Sequence, residues 1–254
     1  MFPPRETSSS PLRTPNGRHS MSNLPDFPLS LALYNVLPVA LTGLALWFLT
    51  RYVAQQDPAD RGLALLGAGL ILAGGLAKVS WKLIVATTGT DLVWLAAALF
   101  PLMAPGFALL AVALWGAVRG QRGRPVSAGL WRVALAVVAL AFAAAALRYW
   151  VLAIPRGWFL PLLVLASLGN LAASLLLIRA AVSLRRWGTA LLFAVNLLMI
   201  FALQPIAMMN PKTLAMHWTE QTLTALGTAC FALAAYRLWR LTSRERSAAR
   251  PGPA

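Results

Sequence analysis

Seven long apolar stretches fill almost everything between Leu29 and Leu241, and a chain patterned this way has few folds open to it. Roughly 30 Å of hydrocarbon, at about 1.5 Å of rise per residue, takes about twenty residues of helix. The stretches at 29–53, 62–85, 91–118, 128–152, 157–182, 187–209 and 214–241 each reach that length. None shows the strict alternation of a barrel strand, and lipid offers no water to open backbone, so each is expected to be a helix. The expected class is therefore all-α, a polytopic transmembrane helix bundle of seven spans. Composition agrees, since 59% hydrophobic against 11% charged residues, with mean hydropathy +0.69, is far from the mix of a water-soluble domain. Turn-forming residues punctuate the stretches: Gln55-Gln56-Asp57-Pro58, Gly120 to Pro125, Pro155-Arg156-Gly157 and Asn210-Pro211-Lys212.

Lysine and arginine resist translocation, so their placement sets orientation. With seven spans, one side carries Arg51, Arg61, Arg119, Arg122, Arg124, Arg132, Arg179, Arg185, Arg186, Arg237, Arg240, Arg244, Arg246 and Arg250, fourteen of the 22 basic residues. The other side carries Arg5, Arg13, Arg18, Lys78, Lys82, Arg148, Arg156 and Lys212. That asymmetry predicts an outside N-terminus and a cytoplasmic C-terminus in a multi-pass cell-membrane protein, the membrane being the cytoplasmic one of a bacterium. Residues 1–28 read as a disordered N-terminal tail, 29–241 as the transmembrane domain, and 242–254 as a short basic cytoplasmic tail. A basic tail at the start opposes this orientation, and Met21 offers an alternative start that leaves Asp26 as the sole charge before the first span. The net charge of +15 requires no nucleic-acid partner, because arginines anchoring helix ends against anionic lipid account for it. The bilayer is the one partner the chain demands; protein partners stay unknown.

Several chemistries are excluded. Cys230 is the lone cysteine, so no disulfide forms within the chain. His19 and His217 are the two histidines, which rules out a bis-histidine haem unless the tail folds back. Residues 214–236 contain no lysine for a retinal Schiff base, and His-Glu-x-x-His, Gly-x-Ser-x-Gly and phosphate-loop motifs are missing. No cofactor and no metal site is implied.

Polar residues inside the spans carry the remaining signal, because they cost free energy in hydrocarbon and tend to face a bundle interior or a watery cavity. Tyr34, Asn35, Lys78, Lys82, Asp91, Arg148, Gln204, His217, Glu220 and Gln221 all fall in the half opposite the arginine-rich side. Lys78 and Lys82 stand four apart on one helix and repel unless anions lie close; Asp91 and Glu220 are the carboxylates at that depth. Counting Arg148, three cations meet two carboxylates, leaving a place for one anionic ligand or lipid phosphate. The plainer reading is that the three cations snorkel to the interface beside Trp81 and Trp150. In the last span His217, Glu220, Gln221, Thr224 and Thr228 recur at steps of one, three or four and draw a polar stripe.

Backbone signals are weaker. Pro38, Pro101, Pro105-Gly106 and Pro205 are expected to bend their helices, and Asn170 and Asn196 to hydrogen-bond across helices. Gly69, Ala73 and Ala77, with Gly74 and Gly75 alongside, and the run Ala143 to Ala146, predict close helix packing. The expected function is a binding, sensing or transport protein whose outward pocket, built from Asn35, Lys78, Lys82, Asp91, Arg148, Gln204, His217, Glu220 and Gln221, takes a small anionic or polar ligand or a lipid headgroup. The alternatives are an intramembrane enzyme acting on lipid-linked substrate with His217 and Glu220 as acid–base pair, and a structural subunit of a membrane complex.

Overall fold

A computed structural model describes residues 29–123, 129–208 and 213–248, the side chains of 204–208 and 245–248 excepted. The tail with Met21, the turn at Arg124-Pro125, Asn210 to Lys212 and the side chain of Gln204 lie outside the described residues. The described chain is helix joined by short turns: α1 (Leu29–Tyr34), α2 (Val36–Gln56), a 3-10 turn (Pro58–Asp60), α3 (Arg61–Thr88), α4 (Val93–Ala97), α5 (Leu99–Gly120), α6 (Leu130–Ala146) running into a π-helical turn (Leu147–Val151), α7 (Phe159–Ser183), α8 (Trp187–Met208) and α9 (Leu214–Ala248). Five stretches, Leu29–Gln56, Pro58–Thr88, Val93–Gly120, Leu130–Val151 and Phe159–Ser183, are long and apolar enough to cross a membrane, and Trp187–Leu203 is a shorter apolar helix. The 35 residues of α9 extend about 50 Å, more than a hydrocarbon core requires, and the helix continues past Leu241 to Ala248.

Proline places the helix breaks. A proline ring clashes with the carbonyl four residues earlier and supplies no N–H, so the helix yields just upstream. Asn35, between α1 and α2, lies three residues before Pro38; Ala98, between α4 and α5, lies three before Pro101. Pro105 is carried within α5. At its far end α3 stops on Gly89, whose φ of 67° is left-handed and whose N–H bonds Val85 O at 3.0 Å.

The helices α2, α3, α5, α7, α8 and α9 each pack on the next, α9 closes on α2, and α2 also touches α5 across the middle. Helix α6 lies outside this circuit against α5 and α7, and Ala134 and Ala145 are its buried residues. The expected Ala143 to Ala146 contact thus reduces to Ala145.

The closest crossing is α3 on α5. A Cβ on Gly67 would lie 2.8 Å from Gly106 O, one on Gly106 2.8 Å from Ile71 Cγ1, and one on Gly74 2.9 Å from Met103 Cγ. The packing face is therefore Gly67, Ile71 and Gly74. The expected stripe Gly69-Ala73-Ala77 is corrected: Gly69 has nothing within 4 Å of its Cβ position and Ala73 is exposed. Both stripes are small and periodic, and only the rotation of α3 against α5 separates them.

One apolar core joins all six helices of the circuit, and it sits in the arginine-rich half. It contains Leu46, Leu49 and Tyr52 of α2, Ala64 and Ile71 of α3, Leu110, Leu114 and Ala117 of α5, Leu177 of α7, Phe193 of α8, and Ala235 and Leu238 of α9. Hydrogen bonds lace the same end. Thr242 Oγ1 donates to Gln55 Oε1 at 2.8 Å and Gln55 Nε2 to Ser243 Oγ at 2.6 Å, which ties α2 to α9. Tyr52 Oη donates to Gln121 Oε1 at 2.9 Å and Gln121 Nε2 to Ser183 Oγ at 3.3 Å, linking α2, the end of α5 and α7. In the opposite half the buried cluster is small: Ala104, Ala145, Leu162, Leu165 and Ala166, shared by α5, α6 and α7.

Candidate functional site

In that opposite half a cavity of about 750 Å³ opens between the C-terminal end of α3, α4, the start of α5, the π-helical turn and the start of α7. Lys78 reaches it because it continues the α3 face that packs on α5, four residues beyond Gly74. Its Nζ lies 4.3 Å from the centre of the Trp81 ring, and the Trp81 indole N–H donates to Asp91 Oδ1 at 2.8 Å. One tryptophan thus joins a cation on its face to a carboxylate at its edge, and the Gly89 cap turns the chain so that Asp91 comes back to α3.

The opposite wall comes from the α6–α7 connection. Ala153 and Arg156 hold left-handed φ of 49° and 56°, unusual for residues with a Cβ. Gly157 lies so close to the π-helical turn that an added Cβ would be 2.8 Å from Arg148 O, and Arg148 Nε donates to Gly157 O at 3.2 Å. This clamp compacts the link and brings Arg156 to the cavity. Arg156 Cζ lies 5.6 Å from the Phe159 ring centre, and Phe159 meets Phe100 edge to face at 5.0 Å. Tyr149 and Trp158 complete an aromatic lining. The described lining carries the cations Lys78 and Arg156 and the carboxylate Asp91, so it offers two positive groups, one negative group and broad apolar rings.

Of the residues expected from sequence, Lys78 and Asp91 line this cavity and Arg148 braces it from behind. Arg156, Phe100, Tyr149, Trp158 and Phe159 were not singled out, and Trp81 was read as an interface ring. Arg156 read as a turn residue, and the backbone conformation that directs it has no sequence signature. The remaining candidates lie elsewhere. Asn35 is buried at the α1–α2 break, where its Nδ2 donates to Leu31 O at 2.7 Å and its Oδ1 accepts from Lys82 Nζ at 3.0 Å. Asn35 and Lys82 therefore brace a proline-induced break. Tyr34 and Trp218 meet near this point with ring centres 5.8 Å apart and planes tilted by 48°, bringing the start of α9 beside it.

The α9 stripe faces inward by exposure: Gln221 is buried, and His217, Glu220, Thr224 and Thr228 are half-buried. Thr224 Oγ1 donates to Glu220 O at 2.6 Å and Thr228 Oγ1 to Thr224 O at 2.9 Å, so both hydroxyls serve their own helix. Neither these residues nor Asn35 and Lys82 belong to the described lining of the cavity. Of the residues expected to form one pocket, the described lining of this cavity thus takes in Lys78 and Asp91. Asn196 is buried with its Oδ1 3.3 Å from the Cβ position of Gly227, so its amide packs on α9. No protein-family model, curated protein or solved structure matches this chain.

Proposed function

We propose that the chain crosses the bilayer seven times, N-terminus outside and C-terminus cytoplasmic, in a bacterial cytoplasmic membrane, and that its outward cavity binds a small anionic amphiphile or the headgroup of an anionic lipid. Supporting the orientation is the excess of arginine at the end where α2, α5, α7 and α9 finish. Supporting the ligand class is one observation, a 750 Å³ cavity in which Lys78 and Arg156 face aromatic walls with Asp91 as the carboxylate of the described lining. Cations select a phosphate or carboxylate, and the rings of Phe100, Trp158 and Phe159 cover an attached apolar chain. The main apolar core, in the opposite half, suits a receptor or carrier whose adaptable end is the outer one.

The test is titration of the full chain, in neutral detergent, with dodecyl phosphate against the zwitterion dodecylphosphocholine. Preference for dodecyl phosphate is expected, weakened about tenfold by Lys78→Met or Arg156→Gln and strengthened by Asp91→Asn, in line with the loss or gain of roughly 1.4 kcal/mol at a charged contact. Equal affinity for both probes, or indifference to all three substitutions, would overturn the proposal.

A further inference from the structure

A second cavity, about 530 Å³, lies at the arginine-rich end in the crotch between α8 and α9, lined by Arg186, Arg237, Arg240 and Arg244 with the floor residue Thr189. No carboxylate belongs to its described lining. Its position follows from two local features. The α7–α8 turn closes with Arg185 in the left-handed region, φ 56°, where its N–H bonds Val182 O and the Arg186 N–H bonds Ala181 O, each at 2.9 Å. That turn starts α8 at once and leaves Arg186 at the mouth of the crotch. On α9, Leu226, Cys230, Leu233, Arg237, Arg240 and Arg244 recur at steps of four and three, so they share one face. All but Cys230, which is half-buried, are exposed.

That face changes character once, between Leu233 and Arg237. On its apolar side Leu226 and Leu233, with Leu191 of α8, present exposed aliphatic surface; on its basic side three guanidinium groups meet Arg186 from the α7–α8 turn. Trp187, 68% exposed beside Arg186, is the kind of ring that seats at a headgroup boundary. The order of surfaces along the helix, aliphatic then cationic, is the order of groups along a phospholipid, acyl chain then phosphate. Guanidinium forks bind phosphate oxygens in pairs, and the four around this cavity come from α9 and from the turn that leads into α8.

We infer that the α8–α9 crotch is a binding site for an anionic phospholipid, its phosphate held by Arg186, Arg237, Arg240 and Arg244 and its acyl chains lying along Leu191, Leu226 and Leu233. The site is separate from the outer cavity and does not depend on what that cavity binds. Native mass spectrometry of the detergent-solubilised full chain, with dioleoylphosphatidylglycerol or dioleoylphosphatidylcholine added, reads it directly. Bound phosphatidylglycerol is expected to exceed phosphatidylcholine, and Arg237→Gln/Arg240→Gln to lower phosphatidylglycerol binding about tenfold. The equal-charge control Arg61→Gln/Arg132→Gln is expected to change it less than twofold, and the fall caused by Arg237→Gln/Arg240→Gln is expected to persist in a Lys78→Met background, where the outer cavity is weakened. Equal loss in the control would show diffuse charge attraction and overturn the site. Displacement of the lipid by equimolar inorganic phosphate would assign the arginines to a soluble anion and overturn the lipid.

Discussion

Trp81 and Asn35 show how a polar side chain is accommodated among apolar helices. Each has two polar or electrostatic faces and uses both: Trp81 toward Lys78 and Asp91, Asn35 toward Leu31 O and Lys82. The pairings assign different work to two lysines one helical turn apart. Four residues advance a helix by about 40° beyond a full turn, enough to send Lys78 toward α5 and Lys82 toward α1. Asn35→Ala removes the acceptor 3.0 Å from Lys82 Nζ and the donor to Leu31 O together. A loss of about 1–3 kcal/mol in stability is expected, measured by thermal unfolding in detergent, with dodecyl phosphate binding at the Lys78–Arg156 cavity unchanged. A loss of ligand at normal stability would instead put Asn35 in the binding site.

Helices here are interrupted and joined for reasons that differ in how visible they are. The breaks at Asn35 and Ala98 follow from Pro38 and Pro101 by one steric rule, so they are readable three residues ahead. The α3–α5 crossing is not, since α3 offers small residues on several faces and only contact with α5 selects Gly67 and Gly74 over Gly69 and Ala73. Gly106→Ala tests that selection. The added methyl would meet Ile71 Cγ1 and Gly67 O at 2.8 and 2.9 Å, and one of these is backbone. A cost of about 1–3 kcal/mol is expected, while Gly69→Ala, with open space around it, is expected to be neutral or slightly stabilising. Equal effects, compared by thermal unfolding of the two variants, would mean that the helices do not cross at these glycines.

The molecule is asymmetric along its length. Six helices share one core in the arginine-rich half, reinforced by the Gln55–Thr242–Ser243 and Tyr52–Gln121–Ser183 links, whereas the buried cluster of the other half is small. Opening free energy follows buried contact, so the two halves are expected to exchange amide hydrogens differently. Amides of 45–53, 110–118 and 173–180 should exchange at least tenfold more slowly than those of 76–88, 93–101 and 159–165 by mass spectrometry in detergent. Uniform protection would show that the ends are equally firm and that the half opposite the arginines is not the adaptable one.

Helix class, the apolar stretches, the arginine asymmetry and the proline breaks are legible along the chain, because each depends on a length, a sum or a neighbour within one turn. Lys78 and Asp91 were legible as candidates for the same reason, being charges in apolar surroundings. The pairing of Lys82 with Asn35, the arrival of Arg156 on a left-handed backbone and the meeting of Arg186 with Arg237 and Arg240 were not. Those depend on how far each helix turns about its own axis before it meets its neighbour, and only packing against that neighbour fixes the rotation.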